Sequence, residues 1–513
     1  MSATVGSALN WWARTKGEQP AFRFGDDDVT YRELRNWSSR LARHLVDRGV
    51  KPGDRIGLLS PNAIEWPVCG LGIIAAGAIL VPLNARLKPA EIRKVADDAG
   101  ISLVVAHPTL RAAGEQAAAS GGAFDVIDFD VIDFDVVNAL RAGADDDFAV
   151  ERDVEEPISV IFTSGSTGLS KGVILTTRTL LDIVLEKTLT EDGFRPGNVA
   201  LLVLPLAFTP GLVYGLLMTT VLGGTLIIEP DLNPSRAVTL IEQHRVEALF
   251  GVPVIFESIS RAAEFEHADL SSLQTAIVGG AAVPLELLHR WADKGVLLRQ
   301  IYGMTEAGGV ATATLKSEAL DHPDSCGSGS IFTDVRVMNE DGALTGAGDV
   351  GEIVVRGPLV TPGYWNDPAT TRQAIRDGWL HSGDIGRADE VGRITFVDRK
   401  KDLIISGGIN ISPVELEIVI GSLDGVAEVA VIAVADERWG ETPAAIVTIA
   451  PDGPEIDESS VVDHCAEQLS DYKVPRYVVL QSQGLPRLPS GKLDKVSIRR
   501  EYRDIASRFS KAR

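Results

Sequence analysis

Short, nearly continuous apolar runs alternate with longer stretches of helical spacing, as in DRIGLLS, EWPVCGLGIIAAG and AILVPL between Asp54 and Leu83. An apolar run without alternation suits a strand covered on both faces, and strands interleaved with helices predict a layered α/β fold. Further strands are expected at SLVVA from Ser102, ISVIFTS ending at Ser164, ALLVLPL ending at Leu206 and GTLIIE ending at Glu229. From Ser325 to Arg356 the texture changes to short segments broken by Gly, Asp and Asn, the pattern of a small antiparallel module. Beyond Lys401, ISPVELEIVIGSL reads as a helix, AEVAVIAVAD and PAAIVTIA as strands, and another helix follows the acidic stretch near Glu455. The expected organisation is a large N-terminal domain of several layered α/β sheets with a small β module, residues 1–400, and a small α+β domain, residues 401–513. The boundary falls within Asp398 to Asp402.

Composition narrows the functional classes. With 45% apolar and 23% charged residues, the chain can bury substantial cores, which a disordered chain cannot. Its 49 basic and 71 acidic residues leave a net charge of −22, so general attraction to nucleic acid or anionic lipid is not expected. An anionic ligand must be held by a local site. Cys69, Cys326 and Cys465 are far apart and lack metal-ligand spacing, which disfavours a disulfide framework or zinc cluster and fits a reducing cytoplasm. The N-terminal residues contain no apolar core of signal-peptide length. The most membrane-like segment, Trp66 to Leu83, approaches the roughly 20 residues of a span. Pro67, Gly77 and Pro82 divide it, so a short helix followed by a buried strand is expected instead.

FDVID occurs at Phe124 and again at Phe129, with FDVV from Phe134. The alternating apolar and acidic residues suit an amphipathic strand, read here as an edge or surface insertion without catalytic role.

The strongest chemical signal is TSGSTGLSKG, Thr163 to Gly172, directly after the strand ISVIF. Its glycines permit unusual backbone angles, its hydroxyls can contact phosphate oxygens, and Lys171 adds a positive charge. It reads as a phosphate-cradling loop. It is not a Walker A loop, which needs GK followed by Ser or Thr, because Ser170 precedes Lys171 and Gly172 follows it.

Further along come VGGAAVP from Val278, YGMTEAGG from Tyr302, HSGDIG from His381, DRKKDLIISGGINISPVELE from Asp398 and LPSGKLDK from Leu488. Taken in order with TSGSTGLSKG, these motifs resemble the adenylate-forming superfamily of acyl-CoA synthetases, luciferases and nonribosomal-peptide adenylation domains, and are most similar to acyl-CoA synthetases. The resemblance implies an N-terminal AMP-binding domain and a mobile C-terminal domain that rotates between two half-reactions. A carboxylate and Mg-ATP would give acyl-AMP and pyrophosphate, and coenzyme A would then displace AMP. ATP, Mg²⁺, coenzyme A and a small carboxylic acid are the implied ligands, and a homodimer is left open.

By the same resemblance, Thr163, Ser164, Gly165, Ser166, Thr167, Gly168 and Lys171 hold phosphate. Tyr302, with Gly303 and Met304, lies against adenine, while Thr305 contacts the α-phosphate. Glu306 binds magnesium with Thr163 nearby; a carboxylate is a hard ligand suited to that ion. Gly279 borders the acyl group, and Gly280 and Ala281 border the adenylate. Asp384 accepts from the ribose hydroxyls, assisted by Arg399. Lys492 holds the attacking carboxylate and the α-phosphate together during adenylation, Thr305 and Glu306 completing the catalytic set. Lys401 matches the family's hinge, Gly407 and Gly408 make room for pantetheine, and Trp439 contacts coenzyme A.

Acyl specificity is read from Pro205 to Gly211, PLAFTPG, where many relatives carry a PLFH-like motif. Phe208 stands where the family has His, and with Thr209 and Gly211 it suggests a hydrophobic acyl group, fatty or otherwise apolar. The alternatives are an aromatic acid, transfer to a carrier protein, and a nucleotide-binding protein without catalysis. Lys171, Glu306 and Lys492 argue against the last.

Overall fold

The computed structural model describes residues 3–119, 130–163, 171–400, 402–406, 409–436, 438–451, 453–488 and 492–512. By packing, the chain divides into two compact units, one formed by residues 1–335 and 355–381, the other by 336–354 and 382–513.

Two large sheets build the first unit. In one, the strands run in the order Thr312–Ala313, Leu298–Tyr302, Thr275–Gly279, Ala248–Gly251, Val199–Leu202, Thr225–Ile228, Pro20–Phe24 and Asp27–Thr30. The inner six are mutually parallel, and only the two outermost strands pair antiparallel. The other sheet runs Asp130–Asp133, Ile101–Ala106, Arg55–Leu59, Ile79–Leu83, Pro157–Thr163 and Lys171–Thr176, parallel until its last pair. Buried parallel strands explain the unbroken hydrophobicity of their sequences: every residue of Ile79–Leu83 is buried.

The membrane-like stretch resolves as expected, into the helix Glu65–Ala75 and the strand Ile79–Leu83. A Cβ on Gly72 would lie 2.9 Å from Leu41 Cδ2 and 3.1 Å from Ser38 O, so only glycine lets this helix approach the helix Tyr31–Asp47. Among the described residues, no helix is long and apolar enough to cross a membrane. The second FDVID copy supplies the edge strand Asp130–Asp133, whereas FDVV opens the helix Phe134–Ala139 with Asp133 as its N-cap. The first copy, at Phe124, lies outside the described residues.

One strand ends earlier than expected. ALLVLPL leaves the sheet at Leu202 rather than Leu206. The buried Asn62 explains the departure: its amide donates to the carbonyls of Leu204 at 3.0 Å and Glu229 at 2.9 Å, and its Oδ1 accepts from Leu206 N at 2.8 Å. Side-chain bonds replace the ladder there.

Most of the second unit is β structure with helices. The stretch read as a small antiparallel module, Ser325 to Arg356, supplies only Asp334–Met338 and Val350–Arg356 to a five-stranded sheet that continues with Trp379–Ala388 and Ile394–Arg399; its fifth strand, Ile375–Arg376, belongs to the first unit. Toward the C terminus, the long antiparallel pair Val426–Asp436 and Gly440–Ile449 packs with the helices Pro413–Gly421 and Glu458–Gln468 around Ile404, Leu416, Val431 and Val447.

Candidate active site

The parallel strands of the larger sheet finish at Leu202, Gly251, Gly279 and Tyr302, and the crevice outside such carboxyl ends is where open α/β sheets bind ligands. Gly279 admits no side chain, since a Cβ there would stand 2.4 Å from Ile301 Cγ1. Gly280, at φ +83°, turns the chain out in a conformation that favours glycine, leaving Gly280 and Ala281 exposed. Tyr302 closes the next strand and is buried, its N–H donating to Thr312 Oγ1 at 3.2 Å.

Just beyond Tyr302, the hydroxyl oxygens of Thr305 and Thr209 lie 2.8 Å apart. This contact joins two segments named separately from the sequence, the YGMTEAGG motif and the PLAFTPG segment. Phe208 is half-buried beside it, and Gly211 packs where a Cβ would strike Pro205 O at 2.3 Å. Gly303 lies so close to the Gly309 carbonyl that a Cβ would stand 2.1 Å from its oxygen, which fixes the turn carrying Met304 and Thr305.

Glu306 is only 7% exposed. Its Oε1 accepts a 2.9 Å hydrogen bond from the phenol of Tyr364, and its backbone carbonyl accepts from Thr361 N at 2.8 Å. Burial raises the Tyr364 phenol well above its ordinary pKa, and the charge of Glu306 raises it further, so the phenol remains a donor. Tyr364 is placed by the strand Lys171–Thr176: Ile174 N donates to Gly363 O at 3.1 Å and Trp365 N to Gly172 O at 2.7 Å. The same strand sets the Lys171 ammonium 5.1 Å from the centre of the Tyr364 ring. Sequence reasoning missed Tyr364; the GYW triplet carries no recognisable charge or spacing signal, and its partners are distant in the chain.

Thr163 and Lys171 face one another in the antiparallel pair that flanks the hydroxyl-rich turn. The turn residues Ser164, Gly165, Ser166, Thr167 and Gly168 lie outside the described residues, as do Lys401, Gly407 and Gly408. No group of three or more His, Cys, Asp or Glu with metal-binding geometry occurs among the described residues. Magnesium does not require one, because it is commonly held by one or two carboxylates together with substrate phosphates. Glu306 fits that pattern: a carboxylate has about four acceptor sites, and Tyr364 occupies one.

Within the second unit, Asp384 and Arg399 are paired across the strands Trp379–Ala388 and Ile394–Arg399, with Arg399 Nε 3.6 Å from Asp384 Oδ1. Asp384 is largely shielded and Arg399 half-exposed. Lys492 joins them electrostatically. It sits on a tight reversal in which Leu488 N donates to Lys492 O at 2.7 Å. Its side chain as a whole is exposed, yet enough protein surrounds the ammonium to lower its pKa by desolvation, with Arg399 lowering it further and Asp384 opposing. Trp439 carries the Arg438 guanidinium 4.6 Å and that of Arg476 5.8 Å from its ring centre.

The AMP-binding enzyme family matches residues 9–365, and its C-terminal domain matches residues 415–492. The chain belongs to the AMP-binding enzymes. A feruloyl-CoA synthase from Amycolatopsis is 37% identical, covering 96% of this chain and 97% of its own. A long-chain-fatty-acid–CoA ligase of Mycobacterium tuberculosis is 35% identical over 93% of this chain and 94% of its own. The crystal structure of ATP-bound MatB from Rhodopseudomonas palustris superposes with a TM-score of 0.85 at 29% identity, covering 97% of this chain and 99% of that one. This AMP-binding enzyme is an ATP-dependent acid–CoA ligase of the adenylate-forming superfamily, as its motifs imply.

Proposed function

We propose that this ligase activates an apolar carboxylic acid as its acyl-adenylate and passes the acyl group to free coenzyme A. The observation that carries the reading is the 2.8 Å contact between Thr209 and Thr305, which puts an apolar segment against the motif assigned to the α-phosphate. A carboxylate oriented along Phe208 and Thr209 attacks the α-phosphorus of ATP; the bond to the pyrophosphate oxygen breaks and pyrophosphate leaves. The thiol of coenzyme A then attacks the acyl carbon, AMP leaves, and the thiol proton goes to solvent. No covalent enzyme intermediate is required.

Thr305 donates to the α-phosphate, Lys171 and the hydroxyl-rich turn hold the outer phosphates, and Tyr302 packs against adenine. Asp384 accepts from the ribose hydroxyls with Arg399 beside it, and Lys492 draws the carboxylate and the α-phosphate together. Magnesium, when bound through Glu306 and Thr163, neutralises phosphate charge. Tyr364 keeps the Glu306 carboxylate oriented. The stacked Arg438, Trp439 and Arg476 favour free coenzyme A over a carrier protein, since an aromatic face flanked by cations suits a phosphorylated nucleoside.

The test is acid-dependent release of pyrophosphate, measured together with AMP and thioester over fatty, cinnamic, benzoic and dicarboxylic acids. Dependence on an apolar acid and on free coenzyme A is expected. Reaction only with a phosphopantetheinyl carrier would reassign the acceptor. Lys492→Ala should impair acyl-AMP formation much more than thioester formation from supplied acyl-AMP; equal losses would remove Lys492 from the first step.

A further inference from the structure

Behind Thr209 the chain winds as a π-helix, Pro210–Leu217, closed by a hydrogen bond from Met218 N to Val213 O, five residues back. Such winding is rare and concentrates at functional sites. A Cβ on Gly309 would lie 3.0 Å from Tyr214 Cε2 and 3.2 Å from Thr209 Cγ2, so Tyr214 and Thr209 flank the same piece of backbone. Tyr214 therefore forms the next layer inward from the Thr209–Thr305 contact.

That layer is closed. The Tyr214 phenol donates to Gly308 O at 2.9 Å, and its ring lies 4.8 Å from Phe250, which stacks on Phe194 at 5.6 Å with planes 21° apart. Tyr214 is 2% exposed, and Leu212, Val213, Leu216 and Leu217 are equally buried. A channel wide enough for an alkyl chain would leave water-accessible surface on its walls, and these walls have almost none. The cavity between Thr209, Val213, Thr305 and Thr361 measures about 10 Å³, the room of a single water.

We propose that Tyr214, backed by Phe250 and Phe194, is the floor of the acyl site and confines this ligase to compact apolar acids, excluding long-chain fatty acids. The inference rests on the reading that Phe208 to Gly211 receive the acyl group. A longer chain would have to break the buried phenol bond and displace three packed rings, which a close-packed interior resists.

The experiment is a ladder of acids, butanoate, octanoate, palmitate and cinnamate, assayed by pyrophosphate release with the intact enzyme. Octanoate and cinnamate should exceed palmitate in kcat/KM by at least about tenfold, since even one methylene too many in a hydrophobic pocket is discriminated by about ten- to two-hundredfold. Tyr214→Ala should raise the palmitate-to-octanoate ratio by about tenfold or more, Phe250→Ala should raise it less, and Tyr214→Phe, which keeps the ring, should retain the limit. Wild-type enzyme that uses palmitate as well as octanoate would overturn the proposal without any variant. So would a folded Tyr214→Ala enzyme with an unchanged ladder. The underlying reading fails separately, if Phe208→Ala leaves the KM of every acid unaltered.

Discussion

The phenol of Tyr364 donates to Oε1 of the buried Glu306 at 2.9 Å while the face of its ring lies 5.1 Å from the ammonium of Lys171. One side chain thus serves an anion through its hydroxyl and a cation through its ring, and couples two motifs that stand far apart in the chain.

Tyr364→Phe keeps the face and removes the donor. Leaving a buried carboxylate short of a hydrogen bond costs about 1–3 kcal/mol. The kcat/KM for Mg-ATP in pyrophosphate release should fall by about tenfold, and Tyr364→Leu, which also loses the ring, should fall further. Circular dichroism of both variants checks that they are folded; wild-type kinetics from Tyr364→Phe would dissociate the phenol from Glu306 function.

The pKa of Lys492 lies below the ordinary lysine value of 10.5, through desolvation first and Arg399 second, with Asp384 pulling the other way. If adenylation needs the ammonium, activity is lost as pH rises through that lowered pKa, so the alkaline limb of the pH–rate profile begins early. Arg399→Gln removes a like charge and should move the limb to higher pH. Asp384→Asn removes an attractive charge and should move it lower. A kcat–pH profile of pyrophosphate release reads both, and shifts of the opposite sign would exclude Lys492 as the titrating group.

Thr209→Val deletes the hydroxyl that meets Thr305 but preserves shape. A neutral hydrogen bond is worth about 0.5–1.5 kcal/mol, so acyl-AMP formation should slow by roughly two- to tenfold. Thr209→Ser should restore most of the rate. If Val and Ser behave alike in single-turnover adenylation, the contact does not orient Thr305.

Asn62 is satisfied by three hydrogen bonds to backbone groups of Leu204, Leu206 and Glu229. Asn62→Ala should lower stability by about 2–4 kcal/mol. Asn62→Asp should be worse, because it replaces a donor with a carboxylate oxygen facing two carbonyl oxygens. Urea denaturation orders the two; greater stability in the Asp variant would refute the bonding pattern.

Much of the architecture was legible because parallel strands buried on both faces write themselves as nearly unbroken apolar runs, as in Ile79–Leu83 and Arg55–Leu59. Contacts between remote residues were not. The strand beginning at Val199 ends at Leu202 because Asn62, more than a hundred residues upstream, captures the backbone beyond it. Nothing in PGLVYGLL distinguishes π from α winding, since either buries its apolar residues. Thr305 and Glu306 stand in a motif that draws attention to them, whereas Thr361 and Tyr364, which hydrogen-bond to Glu306, depend on a strand pairing that no local pattern announces.

At the border of the six-stranded sheet, Asp130–Asp133 begins and ends with an acid, and the same FDVID letters stand immediately upstream. The closing acid, Asp133, is engaged within the fold: it caps the helix Phe134–Ala139, accepting from Asp135 N at 3.0 Å, and pairs with Arg111. Peeling this rim strand away would therefore forfeit a helix cap and an ion pair together, which fastens the margin of the sheet at its far end.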